Sequence, residues 1–277
     1  MSTILIKNGT LIDGSGSKRY LADILIENEK IKKIGKLDLT ADKVIDASGK
    51  IVSPGFIDTH SHSDLKVLIE PFVEPKIRQG ITTEILGQDG ISMAPLPEEY
   101  VSSWRKNLAG LDGDSDELKW NWKNTDGYLN LISKTGSGPN ELYLVPHGNI
   151  RMEAMGLEAR VATKKELEKM KEITRREMEA GVAGLSTGLI YIPCAYAETE
   201  ELIEICKVAA EYGRPLVIHQ RSEADTMLES MQEVIRIAKE SGVKIHFSHF
   251  KICGQKNWKL IEPVIALLDK CKEEGIN

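Results

Sequence analysis

The chain has 277 residues and a mass of 30.8 kDa, 41% hydrophobic and 28% charged, which suits one large α/β domain or two small ones and excludes a mainly disordered chain. A formal charge of −6, an isoelectric point near 5.7 and the lack of a basic stripe argue against a nucleic-acid partner, and no apolar run approaches the roughly 18 residues of a membrane span. Met1 to Gly9 lacks the apolar stretch of a signal peptide, and Cys194, Cys206, Cys253 and Cys271 form no Cys-x-x-Cys pair, so a cytoplasmic protein without a disulfide framework or zinc knuckle is expected.

From Ile4 to Ile45 short β-rich runs alternate with turn residues such as Asn8-Gly9 and Asp13-Gly14. Asp23 to Glu27 and Lys30 to Gly35 read as a hairpin turning at Asn28-Glu29, so residues 1–50 are expected to form a small antiparallel β unit. After Pro54, strand candidates alternate with long amphipathic segments, the texture of βα units on a parallel sheet. The six candidates are Ile51 to Thr59, Thr82 to Gly87, Leu142 to His147, Val182 to Ser186, Pro215 to His219 and Lys244 to His249. Lys164 to Ala180 and Thr199 to Tyr212 read as helices, the first opened by the capping box Thr163-x-x-Glu166, with Gly181 and Gly213 as terminating glycines. Residues 95–123 are less regular and read as a loop excursion that forms a lid or wall; Trp104, Trp120 and Trp122 either line a cavity or, as the reading favours, pack the loop. The last helix is expected from about Trp258 to Glu274, and the sequence stops where a seventh strand would begin.

Five of the six histidines fall at the C-terminal ends of strand candidates, where barrel enzymes gather their reactive groups: His60, His62, His147, His219 and His249. Period-two alternation turns His60 and His62 to one side of a strand read as buried, which suits a pair of metal ligands, whereas His246 is expected to pack outward against helices. Imidazoles converging on one mouth suit Zn2+ or a similar divalent ion. Asp89, in the turn Gly87-Gln88-Asp89-Gly90, is either a further ligand or simply a turn aspartate before glycine. His147 either supports a ligand from behind or fills a layer of the barrel, and Arg221 and Glu223 are expected to pair with each other.

The opening Ile-Lys-Asn-Gly-Thr-Leu-Ile-Asp-Gly, the Pro54 to His62 strand, Arg78 to Thr83, Gly184 to Pro193, His219 to Glu223 and Ser248 to Lys251 together resemble the D-aminoacylase (N-acyl-D-amino-acid deacylase) family of the amidohydrolase superfamily, in order over nearly the whole chain. The resemblance implies an α/β fold of the metal-dependent-hydrolase type: a (β/α)8 TIM barrel, here with about six of its eight strands in residues 51–277, joined to the N-terminal part of a small β-sandwich in residues 1–50. It implies one or two zinc ions and a zinc-activated water that attacks the amide carbonyl of a small N-acyl-D-amino acid. His60 and His62 match the first metal pair, His219 and His249 the ligands after strands five and six, and Tyr191 and Lys251 residues that contact substrate, Lys251 through the carboxylate of the acyl amino acid.

Two departures accompany the match. Asp89 stands where the family has a cysteine ligand, and the strand holding Gly184 to Thr187 has no lysine to carbamylate, which leaves Asp89 as the bridging candidate. The aspartate that the superfamily uses as general acid and base at the end of strand eight is expected beyond residue 277, so no catalytic acid is assigned within the chain. An alternative is a cyclic-amide hydrolase of the dihydroorotase or hydantoinase type. Another is an inactive, truncated metal-binding fragment that needs a separately encoded C-terminal half.

Overall fold

The computed structural model describes residues 2–277, in two compact units that divide between Phe56 and Ile57. In the first unit β1 (Thr3–Leu11) is antiparallel to β2 (Tyr20–Glu27), which is antiparallel to β3 (Lys30–Gly35). Asn28 and Glu29 join β2 to β3 with positive φ of 48° and 69°, the geometry that matches a two-residue turn to the twist of its strands. The unit is not wholly antiparallel: β4 (Lys43–Asp46) and β5 (Ile51–Val52) return by longer connections and pair parallel to β1. Leu11, Ala22 and Ile24 form its small core, flanked by Ile6, Ile26 and Val52.

In the second unit the strands are β6 (Phe56–Asp58), β7 (Ile81–Leu86), β8 (Asn140–Pro146), β9 (Gly184–Gly188), β10 (Leu216–His219) and β11 (Ile245–Phe247). They form one sheet in chain order, and the pairs from β7 through β11 are parallel. Because each strand lies beside its predecessor, every crossover advances in the same direction. That is the order of a (β/α)8 barrel, of which six strands are present, and not of a doubly wound sheet, whose order reverses. The helices between them are α1 (Lys66–Ile69), α2 (Glu74–Ile77), α3 (Val101–Leu108), α4 (Thr125–Thr135), α5 (His147–Met155), α6 (Lys164–Glu179), α7 (Thr199–Glu211) and α8 (Met227–Ser241), with α9 (Ile261–Glu273) after β11.

The stretch expected as one buried strand from Ile51 to Thr59 is two strands, β5 in the first sheet and β6 in the second. Pro54, which has no N–H to give a ladder, falls in the break, and Ile51, Phe56 and Ile57 are exposed, not buried. His246, expected to pack outward against helices, is instead exposed on the edge strand β11. The helix after β10 and the capping box of α6 follow local rules: Thr163 Oγ1 accepts the Glu166 N–H at 3.3 Å, and Glu166 Oε2 accepts the Thr163 N–H at 2.8 Å. Helix α6 then buries Met170, Ile173 and Met178 in the main core beside Leu185 and Leu216 of the sheet.

The tryptophans of the 95–123 excursion mainly pack it. Trp104 and Trp122 are buried in the core and donate their indole N–H groups to the carbonyls of Ser92 and Met93, each at 2.7 Å.

A polar network sits within the sheet. Glu84, fully buried on β7, accepts bonds from Ser61 at 2.6 Å and Ser63 at 3.1 Å and pairs with Lys76 at 2.8 Å. Its register partner on β8 is Glu141, whose carboxyl burial pushes up to about 7, against the Ser137 hydroxyl bond and with further repulsion from Glu84. The folded protein therefore holds a proton that the unfolded chain has already released, so the associated stability is present below about pH 4.5 and is lost as pH rises through about 7. Urea unfolding at pH 5 and pH 8 is expected to show a wild-type stability loss about 1 kcal/mol larger than that of Glu141→Gln. That figure lies below full linkage because the carboxyl is partly exposed. Equal losses in the two proteins would contradict the assignment.

Candidate metal centre

Strand β6 ends at Asp58, so His60 and His62 project from the turn beyond it and not from the strand itself. Alternation survives in that turn because the intervening serines are tied down. The Ser61 N–H donates to the Ile85 carbonyl at 3.3 Å, and the Ser61 and Ser63 hydroxyls bond the buried Glu84. Asp58 Oδ1 accepts the His60 N–H at 3.2 Å. With the serines facing one way, both imidazoles face the turn that follows β7.

That turn presents Asp89 with an unusual backbone, φ 57°, beside Gly90 at φ 74°. Gly90 is required by space as well as by φ: a Cβ there would lie 2.8 Å from both Cys194 Sγ and Thr187 Cα. From the other side, a Cβ on Gly188 at the end of β9 would lie 2.3 Å from the Asp89 carbonyl oxygen. The turn is thus pressed onto β9, and the Asp89 side chain is held in place with only 3% of the residue exposed.

The Asp89 carboxylate lies between two pairs of histidines. Oδ2 is 3.5 Å from His60 Nε2 and 3.4 Å from His62 Nε2. Oδ1 is 3.9 Å from His219 Nδ1 and 3.7 Å from His249 Nε2. Burial alone would raise its pKa, but His60 and His62 outweigh burial and hold the carboxyl below the usual carboxylate range. Asp89 Oδ1 is buried with no hydrogen-bond partner among the described residues, as suits an oxygen that would ligate a cation. The ligand atoms of His60, His62 and Asp89 lie within 4.8 Å of one another, as do those of Asp89, His219 and His249.

His219 closes β10, and His249 follows β11 with φ 24°. Their facing nitrogens, Nδ1 and Nε2, are 2.9 Å apart. Burial lowers the His219 pKa against the pull of Glu223 and Asp89, which keeps its ring neutral and able to donate a lone pair. Glu223 was expected to pair with Arg221. It does not pair with Arg221, which binds Glu233 at 2.8 Å instead. Glu223 Oε1 lies 3.1 Å from His249 Nδ1, and Oε2 lies 2.6 Å from the Lys251 ammonium. A carboxylate on the far nitrogen of a ligand histidine fixes its tautomer and orientation, and the only sequence signal for it was its place four residues after His219. Tyr191 is half-buried with its ring 5.1 Å from that of His219.

His147 is not brought into this group by any of its bonds. It is the first residue of α5, fully buried, with Nδ1 2.9 Å from Thr187 Oγ1 and Nε2 2.7 Å from Glu201 Oε1, while Arg151 pairs with the other Glu201 oxygen. Despite burial, which lowers it, its pKa is pushed up to about 9 by Cys194 and Glu201. Through Thr187, next to Gly188, this buried chain braces the strand end on which the Asp89 turn rests.

The sequence pattern of the amidohydrolase family matches residues 43–264. The chain belongs to the amidohydrolase family. Within it, this chain is 34% identical to a D-aminoacylase of Alcaligenes xylosoxydans xylosoxydans over 96% of its own length and 54% of the relative's. It is 36% identical to an N-acyl-D-glutamate deacylase of the same organism over 99% and 55%. A solved N-acyl-D-glutamate deacylase from Bordetella bronchiseptica, complexed with zinc and a phosphonate mimic of the tetrahedral intermediate, superposes with a TM-score of 0.91 at 35% identity, covering 99% of this chain and 56% of that one. The chain spans about half the length of the curated relatives it matches.

The close seat of the amidohydrolase turn on β9 is testable. Gly188→Ala is expected to lower stability in urea unfolding by about 1–3 kcal/mol, the range for forcing an added methyl into a packed site. A variant within about 0.5 kcal/mol of wild type would mean that the Asp89 turn has room to move.

Proposed function

We propose that this chain binds one or two divalent metal ions, zinc foremost, through His60, His62, Asp89, His219 and His249. We propose further that it serves hydrolysis of the acyl–nitrogen bond of small N-acyl-D-amino acids. The observation that carries the reading is the buried Asp89 carboxylate, with one oxygen toward each histidine pair and Oδ1 without a hydrogen-bond partner among the described residues. Carboxylate and imidazole donors together suit Zn2+, and a carboxylate spans two ions by offering one oxygen to each. The names of the relatives, D-aminoacylase and N-acyl-D-glutamate deacylase, support the substrate class.

A divalent metal in this position supplies polarisation of the amide carbonyl and acidification of a water. The residues of the chain do the rest. Asp89 supplies the anionic charge that offsets the cation, and Glu223 orients His249 through its Nδ1. Lys251 carries an ammonium at the mouth beside Glu223 that a substrate carboxylate would meet, and Tyr191 forms a wall against His219. The proton for the departing amine is assigned to an aspartate of a further segment, supplied by a longer chain or a separately encoded half. Residues 1–50 are read as the N-terminal part of the small β-sandwich domain. A reducing cytoplasmic setting fits the four cysteines, all free thiols, and no helix among the described residues is long and apolar enough to cross a membrane.

Two measurements test the proposal. Asp89→Asn is expected to lower zinc affinity in equilibrium dialysis by more than about 100-fold, beyond the range typical of groups that only support a ligand. With Co2+ in place of zinc, N-acyl-D-amino acids are expected to shift the visible spectrum of the 277-residue chain, and their L enantiomers, hydantoin and dihydroorotate are not. Unchanged zinc affinity in the Asn variant would overturn the ligand set, and a response to the cyclic amides alone would overturn the substrate class.

A further inference from the structure

Outside the group around Asp89, the densest concentration of unsatisfied charge lies where the 95–123 excursion folds back on the strand ends. Asp64 follows His62 by two residues and is 1% exposed, and Asp112, in the turn after α3, is 8% exposed. Asp64 is firmly held: its Oδ1 accepts the Gly87 N–H at 2.8 Å and the Ser92 hydroxyl, and its carbonyl accepts the Tyr128 hydroxyl at 2.6 Å. Its Oδ2 has no partner among the described residues, and neither has Oδ1 or Oδ2 of Asp112. One ligand atom from each of His62, Asp64 and Asp112 lies within 4.8 Å of the others.

Three buried carboxylate oxygens without a donor are costly, because each loses its hydration without compensation. A single proton shared between the two carboxyls joins one oxygen of each and still leaves an Asp112 oxygen orphaned. A divalent cation satisfies all three and cancels the repulsion between the pair.

We infer that Asp64 and Asp112 form a second divalent-cation site that borders the Asp89 centre at its ligand His62 and clamps the excursion to the strand ends. Carboxylate oxygen donors suit Mn2+. The cation anchors the turn after α3, and through Asp64 it also braces Gly87 at the start of the Asp89 turn.

Mn2+ alone, counted by equilibrium dialysis on the full 277-residue chain, is the probe. Asp112→Asn is expected to bind one equivalent fewer than wild type. Asp89→Asn is expected to retain at least one equivalent, and the double variant none. In the wild type, Mn2+ at about ten times its dissociation constant is expected to slow tryptic cleavage at Lys119 about tenfold, and in Asp112→Asn to leave it unchanged. Equal stoichiometry in wild type and Asp112→Asn would overturn the inference. Should Asp112→Asn fail to fold, the tryptic assay on Asp89→Asn decides: Mn2+ protection at Lys119 that persists in that variant supports the second site, and protection lost there overturns it. Failure at Asp89 and failure at Asp112 are thereby read separately.

Discussion

A carboxylate buried away from water must find compensating charge, and in this chain that requirement is concentrated on Asp89. Its backbone is held left-handed, its turn is pressed against β9, and four imidazoles surround its two oxygens. Much of the second unit reads as support for that placement. Ser61 and Ser63 on Glu84 aim the first histidine pair, Asp64 holds Gly87, and the His147, Glu201 and Arg151 chain braces the end of β9 through Thr187. The unpartnered Oδ1 of Asp89 thus faces a histidine pair at the mouth where the strand ends meet.

The sheet order explains why the mouth exists. Parallel strands laid down in sequence bring their C-terminal ends to one edge, so residues far apart in the chain, from His60 to His249, meet there without any local signal linking them. The amidohydrolase relatives, at 34% and 36% identity, match this chain's sequence over nearly its full length. Asp89 places a negative charge and a hard oxygen pair in the turn, one oxygen toward each histidine pair.

Most of the architecture was legible because strand and helix periods are local. The alternation of apolar runs with capped amphipathic segments marked β7 through β11 to within a few residues, and the Thr163 to Glu166 pattern marked the start of α6. The histidines stood out because each follows an apolar run. What local pattern could not give was pairing. The break at Pro54 separates two strands that belong to different sheets, and β4 and β5 join β1 in parallel, contrary to the hairpin texture around them. His147 looked like a strand end and is the first residue of a helix, because Pro146 closes the strand and fits just ahead of a helix start. Glu223 was given to Arg221 by proximity in sequence, whereas the fold gives Arg221 to Glu233 and turns Glu223 to His249 and Lys251. Charge partners depend on three-dimensional neighbours, and a single sequence carries little information about them.

The central claim, that the Asp89 carboxylate and the two histidine pairs together hold metal, is tested most directly by anomalous scattering. Crystals of the 277-residue chain grown with zinc and measured on either side of the zinc absorption edge are predicted to give one or two anomalous peaks within bonding distance of Asp89, flanked by His60 and His62 on one side and His219 and His249 on the other. Zinc peaks found only elsewhere, with Asp89 bonded to imidazolium groups alone, would contradict it.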